Sequence, residues 1–291
     1  MIFELLSIVA PVFMCAVIGY TWGRSSRPFD SEMVTNLVTL IGAPCLIFSA
    51  LVSVELDMAA FREMALASTI AIVSFAGVGY VALKATGQNV RAFLPTMTFT
   101  NCGNMGLPLC LLAFGEEGLA LAAVYFAVST IIQFTIGIGL ISGQMSLRQF
   151  LKMPLIYAVV LALLVMVAGV ELPKWINDTL DLLAGMTIPL MLVSLGVSLA
   201  RLSVRSLPRS IALSALRLLM GFGVGVLLAW VFDMEGVARG ALIIQSTMPA
   251  AVFNYLFAQR YNNEPNEVAG TVITTTVLSF ATLPALLWFV L

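Results

Sequence analysis

Long apolar stretches, separated by short polar or charged gaps, follow one another along the whole chain of 291 residues. A helix needs about 20 apolar residues to cross the roughly 30 Å of hydrocarbon in a bilayer. Ten windows meet this requirement, at residues 2–22, 33–53, 64–84, 91–114, 119–142, 150–170, 176–199, 208–231, 237–259 and 267–290. The pattern therefore predicts an all-α integral membrane protein with ten transmembrane helices.

The fourth and ninth windows each contain helix-breaking residues near mid-length. The fourth carries residues 101–108, Asn-Cys-Gly-Asn-Met-Gly-Leu-Pro, and the ninth carries residues 246–249, Ser-Thr-Met-Pro. Proline lacks a backbone donor, and Gly and Asn favour non-helical dihedral angles. Irregular backbone at this depth is tolerated only where it lines a cavity within the protein. We predict two half-helices in each window, with the second halves beginning near Met105 and Ala250.

The second half of the sequence resembles the first when it is shifted by 145 residues. The shift places Pro44 over Pro189 and Asn104 over Pro249. Because each half has an odd number of spans, the halves insert with opposite orientation, which is the inverted-topology repeat of many secondary transporters. Chance similarity between two apolar sequences is the alternative. The predicted repeats of five helices are residues 1–145 and 146–291.

The composition agrees with a membrane location. With 60% hydrophobic residues, 10% charged residues and a mean hydropathy of +1.04, the chain has too little polar surface for a water-soluble globule. It has no histidine, which excludes histidine-dependent proteases, HExxH zinc sites and imidazole proton relays. No basic run or metal-ligand cluster appears, so we predict no nucleic-acid partner, no metal site, no cofactor and no enzymatic activity.

Basic residues are distributed unevenly between the two sides that ten alternating spans define. Three lie on one side, at Arg62, Lys174 and Arg239, and the other eleven lie on the opposite side. Those eleven are Arg24, Arg27, Lys84, Arg91, Arg148, Lys152, Arg201, Arg205, Arg209, Arg217 and Arg260. Because basic loops stay in the cytoplasm, we predict a multi-pass protein of the cell (inner) membrane with both termini on the non-cytoplasmic side.

The two breaks are expected to form one binding site at the centre of the bilayer. Each second half-helix begins there with about half a positive charge at its N-terminus, which favours an anion. Neutral donors at the same depth can hold a carboxylate without burying a formal cation. The predicted substrate-binding residues are Asn101, Cys102, Gly103, Asn104, Met105, Gln245, Ser246, Thr247 and Asn254. The predicted crossover and hinge residues are Gly106, Pro108, Pro249, Pro44 and Pro189.

Several of these residues also have structural roles that the sequence leaves open. Asn101 and Asn104 are suited to cap the second half-helix, with or without contact to substrate. Pro108 is expected to act as a simple kink, and Pro44 and Pro189 to set kinks in scaffold helices. Polar residues elsewhere in the spans, such as Gln133, are explained by hydrogen bonds between helices.

Charges inside the spans bear on the driving force. Arg217 lies two turns beyond Arg209 in the eighth span, and we expect it to snorkel to the cytoplasmic side, with anion attraction along the inner route as the alternative. No Asp or Glu lies within a span away from its ends, whereas proton relays and sodium sites usually use buried carboxylates. An interior-negative potential would drive anion export by about 2.3 kcal/mol per charge per 100 mV.

Two motifs resemble the auxin efflux carrier family, and the resemblance covers essentially the whole chain. They are residues 98–109, Thr-Phe-Thr-Asn-Cys-Gly-Asn-Met-Gly-Leu-Pro-Leu, and residues 248–261, Met-Pro-Ala-Ala-Val-Phe-Asn-Tyr-Leu-Phe-Ala-Gln-Arg-Tyr. The family includes bacterial malonate or malate permease-like members and plant auxin carriers. The resemblance implies a ten-helix fold, similar also to bile-acid sodium symporters, in which broken helices four and nine cross at mid-membrane.

The same resemblance implies a scaffold of helices 1, 2, 6 and 7, a moving core of helices 3–5 and 8–10, elevator-like alternating access and a homodimer through the scaffold. On that likeness Asn101 and Asn104 match motif positions near the substrate carboxylate, and Pro249 matches the second crossover. The sequence departs from the bile-acid symporters in having no acidic residue between Arg239 and Arg260 to hold sodium. It departs from the plant carriers in its short connection between helices five and six.

Together these observations predict a secondary transporter (efflux carrier) for small organic anions such as mono- or dicarboxylates, with export favoured over import. Its expected partners are the anion, the lipid bilayer and a second copy of the chain. Sodium- or proton-coupled symport by the same fold is one alternative. A membrane sensor or interaction module without flux is the other.

Overall fold

The computed structural model describes residues 2–25, 27–54, 57–137 and 153–291, which fold almost entirely into helices. The helices are α1 (Ile2–Arg24), α2 (Ser31–Leu37), α3 (Ala43–Ser53), α4 (Met58–Ala85), α5 (Val90–Thr98), α6 (Leu107–Ile132), α7 (Pro154–Ala168), α8 (Lys174–Gly185), α9 (Thr187–Arg201), α10 (Leu207–Val231), α11 (Gly236–Thr247), α12 (Val252–Arg260) and α13 (Pro265–Val290). Three π-helical turns adjoin them, at Val38–Gly42, Cys102–Gly106 and Gln133–Gly137.

The all-α membrane fold class is confirmed. In the described part of the chain, seven helical runs are long and apolar enough to cross a membrane, and α7 is a shorter apolar helix. The seven runs are Leu5–Arg24, Ser31–Ser53, Met58–Ala85, Cys102–Gly137, Lys174–Arg201, Leu207–Val231 and Pro265–Val290. The predicted boundary between repeats, at residues 145 and 146, lies outside the described residues. The five-plus-five inverted repeat stays a prediction.

The fourth and ninth spans are broken, as the sequence predicts, but the first break has a different position. α5 ends at Thr98 and the next helical turn begins at Cys102, so the break is residues 99–101. Most of the helix-breaking residues predicted at 101–108 are therefore helical: Cys102–Gly106 form a π-helical turn that leads into α6. The predicted start of this half-helix at Met105 is three residues too late.

The run from Cys102 to Gly137 changes direction at Gly115. This residue has a φ of 67° and a ψ of −155°, a conformation that is open to glycine and costly for other residues. Gly115 therefore separates the second half of the fourth span from the fifth span within one continuous run of helix.

The two broken spans are related by a shift different from the predicted one. Their second halves begin 150 residues apart, at Cys102 and Val252. Asn104 and Asn254 are thus both the third residue of a half-helix, and the predicted alignment of Asn104 with Pro249 is wrong. The spacing between the two halves is not constant before this point, since α9 is four residues longer than α3 and α10 is three residues shorter than α4.

In the second and seventh spans, residues that the predicted shift of 145 pairs lie at comparable positions, near the start of α3 and α9. Gly42 and Thr187, which are 145 residues apart, pack directly against each other. Pro44 and Pro189 follow them within the first turns of α3 and α9, where a missing backbone donor is tolerated. Both prolines thus lie just after an interruption of a span, the π-helical turn Val38–Gly42 in one case and Met186 in the other.

Much of the packing lies within two helix pairs and two helix groups. α1 lies along α9, and Gly19 and Gly196 bring their backbones so close that a Cβ at either position would clash. α3 packs on α7 in the second pair. α4 packs on α5 and α6, and α10 packs on α11 and α13. Close approach through small residues is how membrane helices associate, because lipid supplies no hydrophobic driving force between them.

Candidate functional site

The two breaks cross and pair with each other. Thr100 and Ala250 form an antiparallel β-bridge. The Asn101 N–H donates to the Pro249 carbonyl at 2.7 Å, and the Ala251 N–H donates to the Phe99 carbonyl at 3.1 Å. Each break therefore satisfies backbone groups of the other, which is how non-helical backbone can persist at membrane depth.

Both second half-helices begin at this crossover. Met105 and Gly106 both donate their N–H groups to the Asn101 carbonyl, each at 3.2 Å. The preceding amides, which have no intrahelical acceptor, lie in the first turn. Residues of this turn, Cys102 and Gly103, line a cavity together with Val252, the first residue of α12.

The cavity has a volume of about 410 Å³ and extends from the crossover to the helix ends at Ser31, Met153 and Arg201. Its other walls come from α2, α6, α9 and α12. Aromatic side chains, among them Phe126 and Phe134, cover much of the surface. Polar side chains on the walls are Thr35, Thr39, Thr100, Asn101, Asn104, Thr130, Gln133, Ser194 and Ser198.

Asn101 is a buried polar side chain of the first crossover whose amide donor has no partner among the described residues. It is only 5% exposed, yet its Nδ2 has no hydrogen-bond partner among the described residues. Although Asn101 occupies the N-cap position, its side chain makes no capping hydrogen bond, so capping does not explain it. The hydroxyls of Thr100 and Ser194 also lack partners among the described residues. Such groups are costly unless a ligand or water satisfies them.

The predicted site residues divide into two groups. Asn101, Cys102, Gly103 and Asn104 line the cavity, all of them from the first crossover. The remaining residues of the predicted set are packed elsewhere, and they are Met105, Gln245, Ser246, Thr247 and Asn254. The structure thus brings together the first-crossover half of the predicted set, and the second crossover contributes Ala251, Val252 and Phe253 instead.

Three polar side chains of the second broken span form hydrogen bonds within the protein. Asn254 donates through Nδ2 to the Phe99 carbonyl at 3.1 Å and accepts from Gln133 Nε2 at 3.5 Å. Gln245 donates through Nε2 to the Ala122 carbonyl at 3.3 Å, and Thr247 donates to the Ile243 carbonyl at 2.7 Å. Asn254 and Gln245 thus join helices, whereas the Thr247 bond lies within α11. Gln245 Oε1 and Ser246 Oγ find no partner among the described residues, but neither residue lines the cavity.

The crossover hinge residues have distinct positions. Gly106 packs directly on the Gln245 side chain, where a Cβ would clash. Pro108 is the second residue of α6, which directly follows the π-helical turn Cys102–Gly106, and it thus lies inside a continuous helical run. The expectation that it kinks this run stays a prediction. Pro249 supplies the carbonyl that accepts from Asn101.

Arg217 does not snorkel, so that expectation is wrong. The side chain is 0% exposed, and its Nη2 donates to the Ser246 carbonyl at 2.9 Å. Its guanidinium carbon lies 4.6 Å from the centre of the Phe75 ring. Arg217 is thus a buried cation at the second crossover, which neither length nor hydropathy of the eighth span could reveal.

Sequence reasoning missed the wall of the cavity that faces the breaks. Ser194 and Ser198 of α9 lie more than ninety residues after the first break and about fifty before the second, and no pattern in the sequence joins them to either. The polar position of Gln133 in an apolar run predicts contacts between helices, and the structure shows both such a bond, to Asn254, and a place on the cavity wall. Arg201 was counted only for topology, whereas it lines the cavity and donates to Ser31 Oγ at 2.8 Å.

Crossing, broken membrane helices around an internal cavity define a polytopic membrane transport protein. The chain belongs to the family described as Membrane transport protein, the auxin efflux carrier family, whose model matches residues 5–146 and 138–288.

Three relatives are similar over most of their lengths. An uncharacterized transporter of Methanocaldococcus jannaschii is 23% identical over 98% of this chain and 99% of its own. An uncharacterized transporter of Methanothermobacter thermautotrophicus is 26% identical over 90% of this chain and 89% of its own. A protein of Rhizobium meliloti named "Putative malonate transporter" is 23% identical over 99% of this chain and 96% of its own.

Proposed function

We propose that this protein is a secondary transporter that exports small organic anions, mono- or dicarboxylates, and that it has no enzymatic activity. The observation that carries this proposal is the buried, unsatisfied amide of Asn101 in a cavity where two half-helices begin. Helix N-termini and neutral donors stabilise a carboxylate. The malonate in the name of one relative supports the same substrate class.

The packing supports an elevator-like mechanism. The scaffold would comprise α1–α3 and α7–α9, which contain the close pairs α1 with α9 and α3 with α7. The moving core would comprise α4–α6 and α10–α13. The predicted repeat relates α1 to α7 and α3 to α9, so it maps the pair α1 with α9 onto the pair α7 with α3. This correspondence supports an inverted arrangement of the halves. The cavity lies between the two groups, so sliding of the core would carry a bound anion across the membrane.

The cavity supports an inward-facing state. It reaches helix ends at Ser31 and Arg201, on the side where basic residues prevail, and by the positive-inside rule this side is cytoplasmic. Both termini would then face the opposite side. Of the described residues that line the cavity, only Arg201 carries a charge, so a buried carboxylate for sodium or proton coupling has no candidate there. We therefore propose that the membrane potential drives export.

Flux in reconstituted vesicles tests this function. Radiolabelled malonate and a panel of monocarboxylates would be loaded into proteoliposomes without sodium or a pH gradient, and a potassium diffusion potential would be imposed. We expect efflux that follows the potential and is strongly reduced in Asn104→Ala, because Asn104 lines the cavity. Strict dependence on sodium or protons would overturn potential-driven export, and binding without flux would favour a sensor.

The family likeness also leads us to propose a homodimer formed through the scaffold helices in the cell (inner) membrane. Mass measurement of the protein in detergent or nanodiscs tests this. A mass of two chains is expected, and a monomer at all concentrations would contradict it.

A further inference from the structure

Arg217 is a buried charge that the proposed binding of an anion in the cavity does not use. It does not line the cavity, and in the described part of the chain no Asp or Glu forms an ion pair with it. Arg217 is ten residues after Leu207, where α10 begins. Ten residues of helix span roughly 15 Å, so Arg217 lies close to mid-membrane. An unpaired charge at this depth is expensive, and such residues are usually functional.

The surroundings of Arg217 hold it in one place. Its Nη2 donates to the Ser246 carbonyl at the C-terminal end of α11, and the Phe75 ring covers its guanidinium at 4.6 Å. Gly221 lies one turn further along α10 and leaves room beside Nη1, since a Cβ there would lie 2.7 Å from this atom. The atoms Nε and Nη1 find no acceptor among the described residues.

The charge of Arg217 is not balanced by the helix ends at the crossover. Two half-helices begin there, at Cys102 and Val252, and two end there, at Thr98 and Thr247. A helix end carries about half a charge, positive at the N-terminus and negative at the C-terminus. These four contributions cancel. Because a guanidinium stays protonated, the crossover keeps about one positive charge, which belongs to Arg217.

We propose that Arg217 gives the membrane-buried part of the moving core one unbalanced positive charge when the core is empty, and that one bound univalent anion neutralises this charge. This inference rests on the proposed function and specifies its substrate class and its voltage-dependent step. A monocarboxylate, or the monoanionic form of a dicarboxylate, would balance Arg217. The membrane potential would then act on the return of the empty core, because an interior-negative potential draws the positive core inward.

Voltage-dependent labelling of the empty carrier tests the proposal without any substrate. Leu256 lines the cavity and is 42% exposed, so Leu256→Cys, in a chain whose four native cysteines are replaced, reports access to the cavity. A membrane-impermeant maleimide would be applied on the side to which the cavity opens, in proteoliposomes of known orientation. One charge that crosses half of the field changes the ratio of the two states roughly sevenfold per 100 mV.

We expect labelling to rise several-fold when the labelled side is made negative and to fall when the potential is reversed. In Arg217→Gln the response to voltage should disappear, with labelling still present at zero potential as the control for folding. Arg217→Lys should keep the response because it keeps the charge. Arg209→Gln is the matched control on the same helix, because Arg209 is paired with Glu264 at 3.2 Å and Glu267 at 3.9 Å.

The outcomes separate this proposal from the proposed function. Labelling of the parent protein that ignores voltage would overturn the proposal even if organic anions are transported and even if Arg217→Gln does not fold. An unchanged voltage response in a folded Arg217→Gln protein would also overturn it. A voltage response that depends on Arg217, found together with no carboxylate flux, would support the charged core and contradict only the proposed substrate class.

Discussion

The two crossovers have the same backbone arrangement but use their side chains differently. The first places Asn101 and Asn104 on the cavity. The second presents small or apolar residues, such as Ala251 and Val252, and its polar side chain Asn254 bonds to the break opposite. Two crossovers with the same backbone arrangement can therefore differ in chemistry, and we assign recognition to the first and support to the second.

Arg217 adds to this difference, because it bonds to the second broken span and not to the first. The supporting crossover thus holds the formal charge, and the recognising crossover holds the neutral donors. An anion placed at the first would benefit from a charge that it does not touch, since electrostatic attraction acts at longer range within a low dielectric.

Replacement of Asn101 should have the largest effect on binding and almost none on stability. In Asn101→Ala the carboxylate loses a charge-assisted hydrogen bond of roughly 1.5–3 kcal/mol, which is about a 10- to 150-fold loss of affinity. The melting temperature without ligand should stay the same or rise, because Nδ2 has no partner to lose among the described residues. Ligand titration and thermal unfolding of the purified protein check both parts. A stability loss without an affinity loss would reverse the assigned roles of the two crossovers.

Replacement of Gly106 should disturb the contact between the crossovers. The Cβ of Gly106→Ala would clash with the Gln245 side chain, which is fully buried, and overpacking of this kind costs about 1–3 kcal/mol. In a Gln245→Ala background the same change should lower the free energy of unfolding much less. Thermal unfolding of the two single variants and the double variant measures this coupling. If the losses of unfolding free energy were additive, the new methyl group at position 106 would not contact the Gln245 side chain.

Replacement of Asn254 should affect stability more than affinity. In Asn254→Ala the Phe99 carbonyl and Gln133 each lose a partner, and we expect a loss of about 1 kcal/mol in the free energy of unfolding. Asn101→Ala is the matched comparison, as the same change in the other broken span. If the Asn254 variant lost ligand affinity at unchanged stability, Asn254 would belong to the recognition site.

Replacement of Thr247 should have the smallest effect. Its hydroxyl donates to Ile243 within the same helix, so Thr247→Val should change ligand affinity by less than about 0.5 kcal/mol. The same ligand titration serves as the measurement. A tenfold loss of affinity would place Thr247 at the ligand, as the sequence alone predicts.

The sequence predicts the fold class well because the bilayer restricts it severely. Membrane length selects the spans, and backbone groups without partners force the breaks to lie at a protein cavity. The exact break was harder to predict, since the Gly and Asn residues of 102–106 are also compatible with a π-helical turn, which they form.

The direction in which each polar side chain points could not be predicted. Asn104 and Asn254 hold the same position in their half-helices, but one lines the cavity and the other bonds to Phe99. Only the packing of neighbouring helices decides this. Arg217 is a similar case, because Phe75 and Ser246 enclose it from distant parts of the chain.

Ligand-induced thermal stabilisation of three proteins tests most directly whether recognition belongs to the first crossover. Purified parent protein, Asn101→Ala and Asn254→Ala would be heated with malonate and with a panel of monocarboxylates, since a ligand that binds the folded state raises the melting temperature. We predict that at least one carboxylate stabilises the parent and the Asn254 variant by similar amounts and stabilises the Asn101 variant little. Equal stabilisation of the parent and Asn101→Ala, or its loss in Asn254→Ala alone, would contradict this account.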